Sequence, residues 1–264
     1  MKISKEKYDF IVNLYKEGKT LKEVGKIFNV TDRTILNILD SIGIKRRTIS
    51  EAKRKLKIDE TVFDIVTDES AYWIGFLMAD GYIVETKKCS PTLGITLIDK
   101  EHLYKFKNFL KSDHKVFKVK YGYRYSVRST SLVEKLIKYG VTPRKSFTAK
   151  AHIDLIFNNH VWRGVIDGDG CIGVRFKNNS PYLYLASGSK NLLEQFYLYT
   201  KGNIHIYKHK NIYQATCSGI NALKLIHKLY TNSLIYLNRK KEKAYFIINI
   251  NNYTKHNKSI KINT

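Results

Sequence analysis

The sequence has few acidic residues and no long apolar run. Its 264 residues contain 23 Asp and Glu against 47 Lys and Arg, which gives a formal net charge of +24. A charge of this size favours a polyanionic partner, with nucleic acid ahead of a membrane surface and ahead of a basic surface that serves solubility alone. The longest apolar stretch is about the nonamer AYWIGFLMA. This is far shorter than the roughly 20 residues of a membrane-spanning helix.

Cysteine is scarce as well, which argues against two further classes of protein. Cys89, Cys171 and Cys217 are odd in number and scattered, and none stands in a C-x-x-C pattern. Neither a disulfide framework nor a zinc site is therefore expected. The opening MKISKEKYDF lacks the apolar segment of a secretory signal. We expect the protein to act in a reducing compartment. This would be the cytoplasm, or the nucleoid or organelle matrix that contains its nucleic-acid partner.

Residues 1–44 predict a small all-α domain. Residues 4–18 have apolar side chains at helical spacing, Thr20 and Glu23 form a capping box that starts a second helix, and Thr31 is placed to cap a third. Two short helices joined by a tight turn after a leading helix are typical of a helix-turn-helix. The alternative is a three-helix module that packs against protein.

In a helix-turn-helix, the exposed start of the last helix meets base edges in the major groove. The candidate DNA-binding residues there are Arg33, Thr34 and Asn37. Gly25 in the preceding helix is expected to leave room for a closely crossing helix. Residues 45–68 follow as a basic linker, in which Arg46 and Arg47 are expected to track the DNA backbone or to enter the minor groove. The alternative is a run of charges that is only solvated.

From about residue 69 the sequence contains an internal duplication. The first copy covers residues 69–150, and residues 151–264 contain the second copy followed by a C-terminal tail. Each copy has the order helix, two strands, helix, two strands, helix. The predicted fold class is α+β: two pseudo-symmetric αββαββα repeats that form a saddle of two antiparallel sheets, plus the N-terminal helix-turn-helix domain. Basic side chains on the outer strand faces are further candidate DNA-binding residues: Arg124, Arg128, Arg175 and Lys177.

The first helix of each copy combines small residues with a terminal aspartate. Gly75 and Ala79 are four residues apart in one copy, as are Gly164 and Gly168 in the other. Small residues at this spacing let two helix backbones approach closely. Mutual packing of the two helices is therefore predicted, and it would place the residue that follows each pair at one common point.

The residues at that point are Asp80 and Asp169. Two carboxylates at the negative ends of two helices repel each other and the helix dipoles, and such a conflict is typical of a functional site. A divalent cation would remove the conflict, since hard oxygen ligands at short separation are what Mg²⁺ prefers. The pair therefore predicts a magnesium site for an in-line displacement at a phosphodiester.

These residues resemble the LAGLIDADG family of homing endonucleases. WIGFLMADG and WRGVIDGDG align position for position with the nine-residue signature of that family, and the resemblance covers about residues 69–250. It implies that Asp80 and Asp169 are catalytic metal ligands, and that a monomer acts as a pseudo-dimer on a long, specific double-stranded DNA site. It further implies cleavage of both strands across the minor groove with Mg²⁺, or Mn²⁺ in its place, leaving short 3′ overhangs.

The family also places a basic residue beside each metal site, which would be Lys145 and Lys240 here; both could instead be phosphate contacts. Asp167 in the second copy is matched by Met78 in the first, so Asp167 is not expected to be an essential ligand, although it could adjust the local charge. Where the family often has a polar side chain at the end of the second strand, the second copy has Ser187 and the first has apolar residues.

Two rival functions stay open. One is a transcription regulator that binds DNA without cutting it, and the other is a maturase that binds the RNA of a host intron. The retained aspartates and lysines count against the regulator, and nothing in the sequence excludes the maturase as an added activity. An intein is not expected, because the Cys or Ser start and the His-Asn end of self-splicing chemistry are missing.

Overall fold

The structure is a computed structural model that describes residues 3–47 and 56–260 of the chain. These residues belong to two compact units, Met1–Leu56 and Lys57–Thr264. Each unit has its own hydrophobic core. In the part of the chain that the structure describes, no helix is both long and apolar enough to cross a membrane.

The first unit contains three short helices around one small core. Helix α1 spans Tyr8–Lys16, α2 spans Leu21–Phe28 and α3 spans Asp32–Ser41. Apolar side chains from all three helices fill the core: Ile11, Leu14, Tyr15, Val24, Ile35, Ile38 and Leu39. The three helices predicted from the apolar spacing are confirmed.

The helix starts of the first unit form as the sequence predicts. Thr20 Oγ1 accepts the Glu23 amide at 3.2 Å, and Glu23 Oε2 accepts the Thr20 amide at 2.7 Å. Thr31 Oγ1 accepts the Thr34 amide at 3.2 Å at the start of α3. Each of these caps satisfies an amide that has no partner within its helix, which typically contributes about 1 kcal/mol.

Gly25 has a different role from the predicted one. A Cβ atom at this position would lie 2.7 Å from the Val30 carbonyl oxygen and 3.4 Å from the Asp32 amide nitrogen. The glycine therefore makes room for the turn between α2 and α3 rather than for a crossing helix. Asn29, which ends α2, adopts the left-handed conformation with φ 53°, and this reverses the chain in a short space.

The second unit begins before the first repeat. Residues 57–66 fall within the predicted linker of residues 45–68, of which 48–55 lie outside the described residues. Phe63 is only 1% exposed and belongs to the large core, and the Asp59 amide donates to the Leu110 carbonyl at 2.8 Å. This stretch packs on the second unit because its apolar side chains help to fill that core.

The two repeats of the second unit follow the predicted order of elements. The first repeat consists of α4 (Asp68–Ala79), β1 (Gly81–Thr86), β2 (Cys89–Leu97), α5 (Lys100–Phe109), β3 (Phe117–Val119), β4 (Gly122–Arg128) and α6 (Thr130–Lys138). The second consists of α7 (Asn159–Asp169), β5 (Gly170–Arg175), β6 (Ser180–Ser187), α8 (Lys190–Tyr199), β7 (His205–His209), β8 (Ile212–Ser218) and α9 (Gly219–Tyr230). The predicted α+β fold class is confirmed.

Each repeat contains one four-stranded antiparallel sheet. The strand orders are β1-β2-β4-β3 and β5-β6-β8-β7, so both sheets have the same topology. Inner faces are apolar: Ile95 pairs with Tyr125 in the first sheet, and Leu185 pairs with Ala215 in the second, all four fully buried. A single continuous core includes residues from both repeats. The two repeats are therefore one folding unit.

A last helix, α10, spans Asn238–Ile260, where only a C-terminal tail was predicted. Ala244, Ile247 and Ile248 on this helix are buried against the large core. Their spacing of three and four residues is the signal that could have revealed the helix.

The helices α4 and α7 cross with their backbones in contact. A Cβ atom on Gly75 would lie 1.9 Å from the Val161 carbonyl oxygen, and one on Gly164 would lie 2.1 Å from the Tyr72 carbonyl oxygen. These distances are too short for any side chain, so glycine is required at both positions. The predicted packing of the two helices on each other is confirmed.

We expect Gly75→Ala and Gly164→Ala each to lower the free energy of unfolding by about 3 kcal/mol, because the new methyl group must push the two helices apart. Urea denaturation measures this loss. Gly219→Ala is the matched control, since Gly219 has φ 62° and no atom within 4 Å of a built Cβ. Backbone strain alone should reduce its stability by about 1 kcal/mol. Equal losses in all three variants would contradict the close crossing.

Candidate active site

Asp80 and Asp169 lie together where the two crossing helices end. Asp80 is the residue that caps the C-terminus of α4, and Asp169 is the last residue of α7. A Cβ atom on Gly168 would lie 2.4 Å from the Ala79 Cβ and 3.2 Å from Asp80 Oδ2. The Asp80 carboxylate therefore rests against the neighbouring helix one residue before Asp169, because Ala79 and Gly168 are small enough to permit it.

The charge of Asp80 raises the free energy of the ionised Asp169 carboxylate. Protein atoms crowd the Asp169 carboxyl group although the residue keeps an exposed surface. Burial and then the neighbouring charge of Asp80 raise the pKa of Asp169 to about 6. Burial also raises the pKa of Asp80, against the opposing effect of the Lys145 charge. Among the side chains of residues 3–47 and 56–250, none forms a hydrogen bond or ion pair with either carboxylate.

Lys145 and Lys240 approach the same two helix ends. Lys145 Nζ donates to the carbonyl oxygens of Ala79 at 3.1 Å and of Gly81 at 2.5 Å. Lys240 Nζ donates to the carbonyl oxygens of Ile166 at 3.1 Å and of Gly170. Each amine thus binds the carbonyl of the glycine that follows its aspartate and offsets the negative end of that helix.

Both lysines are largely withdrawn from water. Burial lowers the pKa of Lys145, against the effect of the charges of Asp169 and Asp80, which favour the ammonium form. Burial likewise lowers the pKa of Lys240, with Asp167 opposing. The four predicted catalytic residues are therefore brought to the two adjacent helix ends.

The chain segment that carries each lysine is fastened by the other repeat. Lys145 lies in a 3-10 turn that leads to residues held by α8: Ser189 Oγ donates to the Ala149 carbonyl at 2.6 Å, and the Gln195 side chain donates to and accepts from the Ala151 backbone at 2.9 and 2.8 Å.

At the other helix end, α5 of the first repeat performs the same function. Lys105 Nζ donates to the Tyr236 carbonyl at 3.1 Å and to Asn238 Oδ1 at 2.6 Å. Arg239 Nε donates to Asp99 Oδ2 at 3.1 Å immediately before Lys240. Because each lysine depends on contacts with the opposite repeat, the arrangement requires both repeats to be folded.

The outer faces of the two sheets carry different side chains. Arg124 and Arg128 are exposed on β4, as predicted from the strand alternation. Arg175 is exposed at the end of β5. Lys177 lies in the hairpin turn after β5 and not on a strand, because the strand stops at Arg175.

Aromatic side chains stack on the second sheet; the sequence placed His205 on a strand face that is exposed or faces DNA, but did not indicate the tyrosines beside it. Tyr182 stacks on Tyr184 with ring centroids 6.4 Å apart, and His205 stacks on Tyr207 at 6.0 Å. All four line a cavity of about 570 Å³. On β6, the alternation that places Leu183 and Leu185 inside also places Tyr182 and Tyr184 outside, and on β7 the residues on either side of the less exposed Ile206 are His205 and Tyr207. The strand period was therefore the available signal.

In the first unit, α3 exposes Arg33 and Asn37, whereas Thr34 is partly buried with its hydroxyl 3.0 Å from that of Thr31. Arg46 is exposed and forms an ion pair with Asp40 at 2.8 Å.

Arg47 folds back onto its own unit. Its guanidinium donates to the carbonyls of Gly18 at 3.1 Å and of Lys19, and lies 4.3 Å from the centre of the Tyr15 ring. Because these contacts engage the guanidinium, Arg47 secures the turn between α1 and α2.

We expect Asp169→Asn to raise the thermal stability of the metal-free protein at pH 7.5, because it removes one of two repelling charges. After allowance for solvent screening, the gain is about 1 kcal/mol, or about 2–4 °C in Tm. Since the folded-state pKa of Asp169, about 6, is above its unfolded value, the gain should be full well above pH 6. It should decrease as the pH falls from 6 towards the unfolded-state pKa of 3.8, and vanish well below 3.8, where the wild-type carboxyl is protonated in both states.

Thermal melting in EDTA at several pH values tests this expectation. Glu134→Gln removes an exposed carboxylate from α6 and serves as the matched control. Because the protein has a net charge of +24, removal of a negative charge increases the repulsion among its positive charges. The control should therefore leave Tm unchanged or lower it. The same gain in both variants would show that Asp169 and Asp80 do not interact.

Comparisons with known proteins agree with this architecture. No family model and no curated protein sequence matches the chain. Among solved structures, the LAGLIDADG meganuclease I-AabMI bound to uncleaved DNA is similar with 15% identity and a TM-score of 0.53, over 73% of this chain and 93% of that one. The LAGLIDADG homing endonuclease I-GzeII in complex with its DNA target has 12% identity and a TM-score of 0.51, again over 73% and 93%. The chain therefore has the fold of the single-chain LAGLIDADG homing endonucleases.

Proposed function

We propose that the protein is a site-specific endonuclease that hydrolyses both strands of double-stranded DNA as a monomer. The observation that carries the proposal is the pair Asp80 and Asp169 at adjacent helix ends, with Lys145 and Lys240 bound beside them. A purely structural site has no need of two adjacent carboxylates, one of which raises the pKa of the other. The fold it shares with the DNA-bound I-AabMI and I-GzeII supports the proposal.

The donor set fits a hard divalent cation such as Mg²⁺. In the described residues there is no group of three or more His, Cys, Asp and Glu side chains that could hold a metal alone. Mg²⁺ is commonly held by one or two carboxylates, with water and substrate phosphates completing its shell. Asp80 and Asp169 supply such a pair, and no side chain that the structure describes occupies either carboxylate. When bound, the ion would activate water and stabilise charge at the phosphorus, and Mn²⁺ could take its place.

The remaining groups prepare the site for a phosphodiester. The ammonium groups of Lys145 and Lys240 hold positive charge next to the carboxylates, which favours their ionised form and attracts the phosphate backbone. Arg124, Arg128 and Arg175 on the sheets would contact phosphates or guanine edges along the duplex. We further propose that the two strands are cut at staggered positions, leaving short 3′ overhangs.

The first unit is proposed to be a helix-turn-helix that lengthens the recognised site. It has three helices with a tight turn before α3, and α3 exposes Arg33 and Asn37 at its start and middle. In such a module these side chains reach base edges in the major groove. Arg47 is engaged inside the unit and is the weaker candidate for a DNA contact.

We expect Asp80→Asn and Asp169→Asn each to reduce double-strand cutting by at least about a hundredfold, because each removes a charged ligand from the site. A random-site plasmid library with Mg²⁺, with Mn²⁺ and with EDTA measures cutting, and sequencing of the ends gives the site and overhang. Glu134→Gln should cut like the wild type. A protein that shifts DNA in gels but cuts no plasmid in either metal is a regulator, and one that shifts only structured RNA is a maturase.

We expect Arg33→Ala and Asn37→Ala to weaken DNA binding by about 1–3 kcal/mol each and to relax specificity at one end of the site. Cutting at saturating protein should stay near the wild-type rate, because these side chains lie in the other compact unit from the carboxylates. Fluorescence anisotropy on a selected site gives the affinity. Lys26→Ala, an exposed change on α2, is the control. Unchanged affinity for both α3 variants would contradict a DNA-reading role.

A further inference from the structure

Asp167 lies two residues before Asp169 on α7 but is fully buried. One oxygen of its carboxylate accepts the Tyr72 hydroxyl and the Leu237 amide, both at 2.7 Å, and the other accepts the Tyr230 hydroxyl at 2.6 Å. The three donors come from α4, from α9 and from the residue just before α10. Both oxygens of Asp167 are used by these hydrogen bonds. Asp167 is therefore not available as a further ligand for a cation held by Asp80 and Asp169.

The Leu237 amide links Asp167 to Lys240. The carbonyl of Leu237 accepts the amides of Lys240 and Lys241, both at 3.0 Å, as the first turn of α10 forms. Lys240 lies in that turn and extends its amine to the carbonyls of Ile166 and Gly170. A displacement of Leu237 would therefore displace Lys240 with it.

Arg163, which lies one helical turn before Asp167 on α7, also binds the end of α9 and the residues that connect α9 to α10. Its guanidinium donates to the Ile235 carbonyl at 2.8 Å and to the Leu229 carbonyl at 3.2 Å. The first repeat has Ile74 and Met78 at the positions that match Arg163 and Asp167, and both are buried apolar residues. The contacts that Arg163 and Asp167 make with the Lys240 segment, which we call the polar clamp, therefore cannot form at the matching positions of the first repeat.

We infer that Asp167 is a positioning residue for Lys240, acting through the Leu237 amide, and that it serves only the half of the site that Lys240 occupies. The inference rests on the proposed nuclease function. Loss of the clamp should slow the cutting of one DNA strand and spare the other, because Lys145 is held by a separate set of contacts on α8. The nicked form should then accumulate.

The test uses a supercoiled plasmid carrying a site selected by wild-type cleavage, with Mg²⁺ and each strand labelled separately. Asp167→Asn and Tyr230→Phe should cut one strand roughly tenfold to a hundredfold more slowly. The other strand should stay within about twofold of the wild-type rate. Tyr199→Phe is the matched control: it removes another buried tyrosine hydroxyl, one that donates to Asn159 Oδ1 at 2.9 Å, and should alter neither strand.

A double-mutant cycle separates positioning from loss of stability. If Asp167 acts through Lys240, then Asp167→Asn should slow the affected strand by no more than about twofold further in a Lys240→Met background. Multiplied effects of the two changes, or equal slowing of both strands, would overturn the inference. If Asp167→Asn does not fold, Tyr230→Phe provides the same cycle, and its melting temperature should match that of Tyr199→Phe.

A crystal structure of the Asp167→Asn or Tyr230→Phe variant gives an answer that does not depend on cutting. The Lys240 amine should leave the Ile166 carbonyl, from which it lies 3.1 Å in the wild type, while Lys145 keeps its contacts with Ala79 and Gly81. An unmoved Lys240 would overturn the inference even if the wild-type protein cuts DNA. A wild-type protein that cuts no DNA would instead refute the proposed function. The position of Lys240 in the variant crystal structure would then still decide whether Asp167 positions this lysine.

Discussion

The backbone contact between α4 and α7 is the constraint on which the second unit depends. Gly75 and Gly164 allow each helix to lie against a carbonyl of the other, and no other residue type would fit. This contact places the ends of both helices side by side, so Asp80 and Asp169 cannot separate to relieve their repulsion. A close-packed crossing thus maintains a charge arrangement that a looser interface would lose, since packed interiors deform little.

The repulsion is offset by the two lysines rather than removed. Each amine neutralises the negative end of one helix, an interaction that typically contributes about 0.3–1 kcal/mol at a helix terminus. The segments that hold the lysines are fastened by the opposite repeats, through Gln195 on one side and Lys105 on the other. The charge balance of the site is therefore coupled to the packing of the repeats on each other, and the one continuous core reflects this coupling.

Most of the fold could be predicted from the sequence because periodic patterns record it directly. Local patterns in the sequence indicate these features: the strand alternation around Tyr125, the capping box at Thr20 and the small-residue spacing at Gly75. The duplication shows the same order of elements a second time. Long-range hydrogen bonds leave no such periodic trace. Arg47 resembles any exposed basic residue until its contacts with Gly18 and Tyr15 are seen.

The two repeats match where the crossing demands it and differ elsewhere. Residues near the helix crossing lie against the matching residues of the other repeat, so a substitution in one repeat alters the packing of both. The Gly, Asp and Lys positions are therefore the same in the two repeats. Away from that point most positions contact residues that have no counterpart in the other repeat. There Met78 is matched by Asp167, and the arginines of the first sheet contrast with the stacked tyrosines of the second. A chain that contains both halves can thus keep one pair of adjacent carboxylates while its two sheet faces diverge, which two identical subunits could not do.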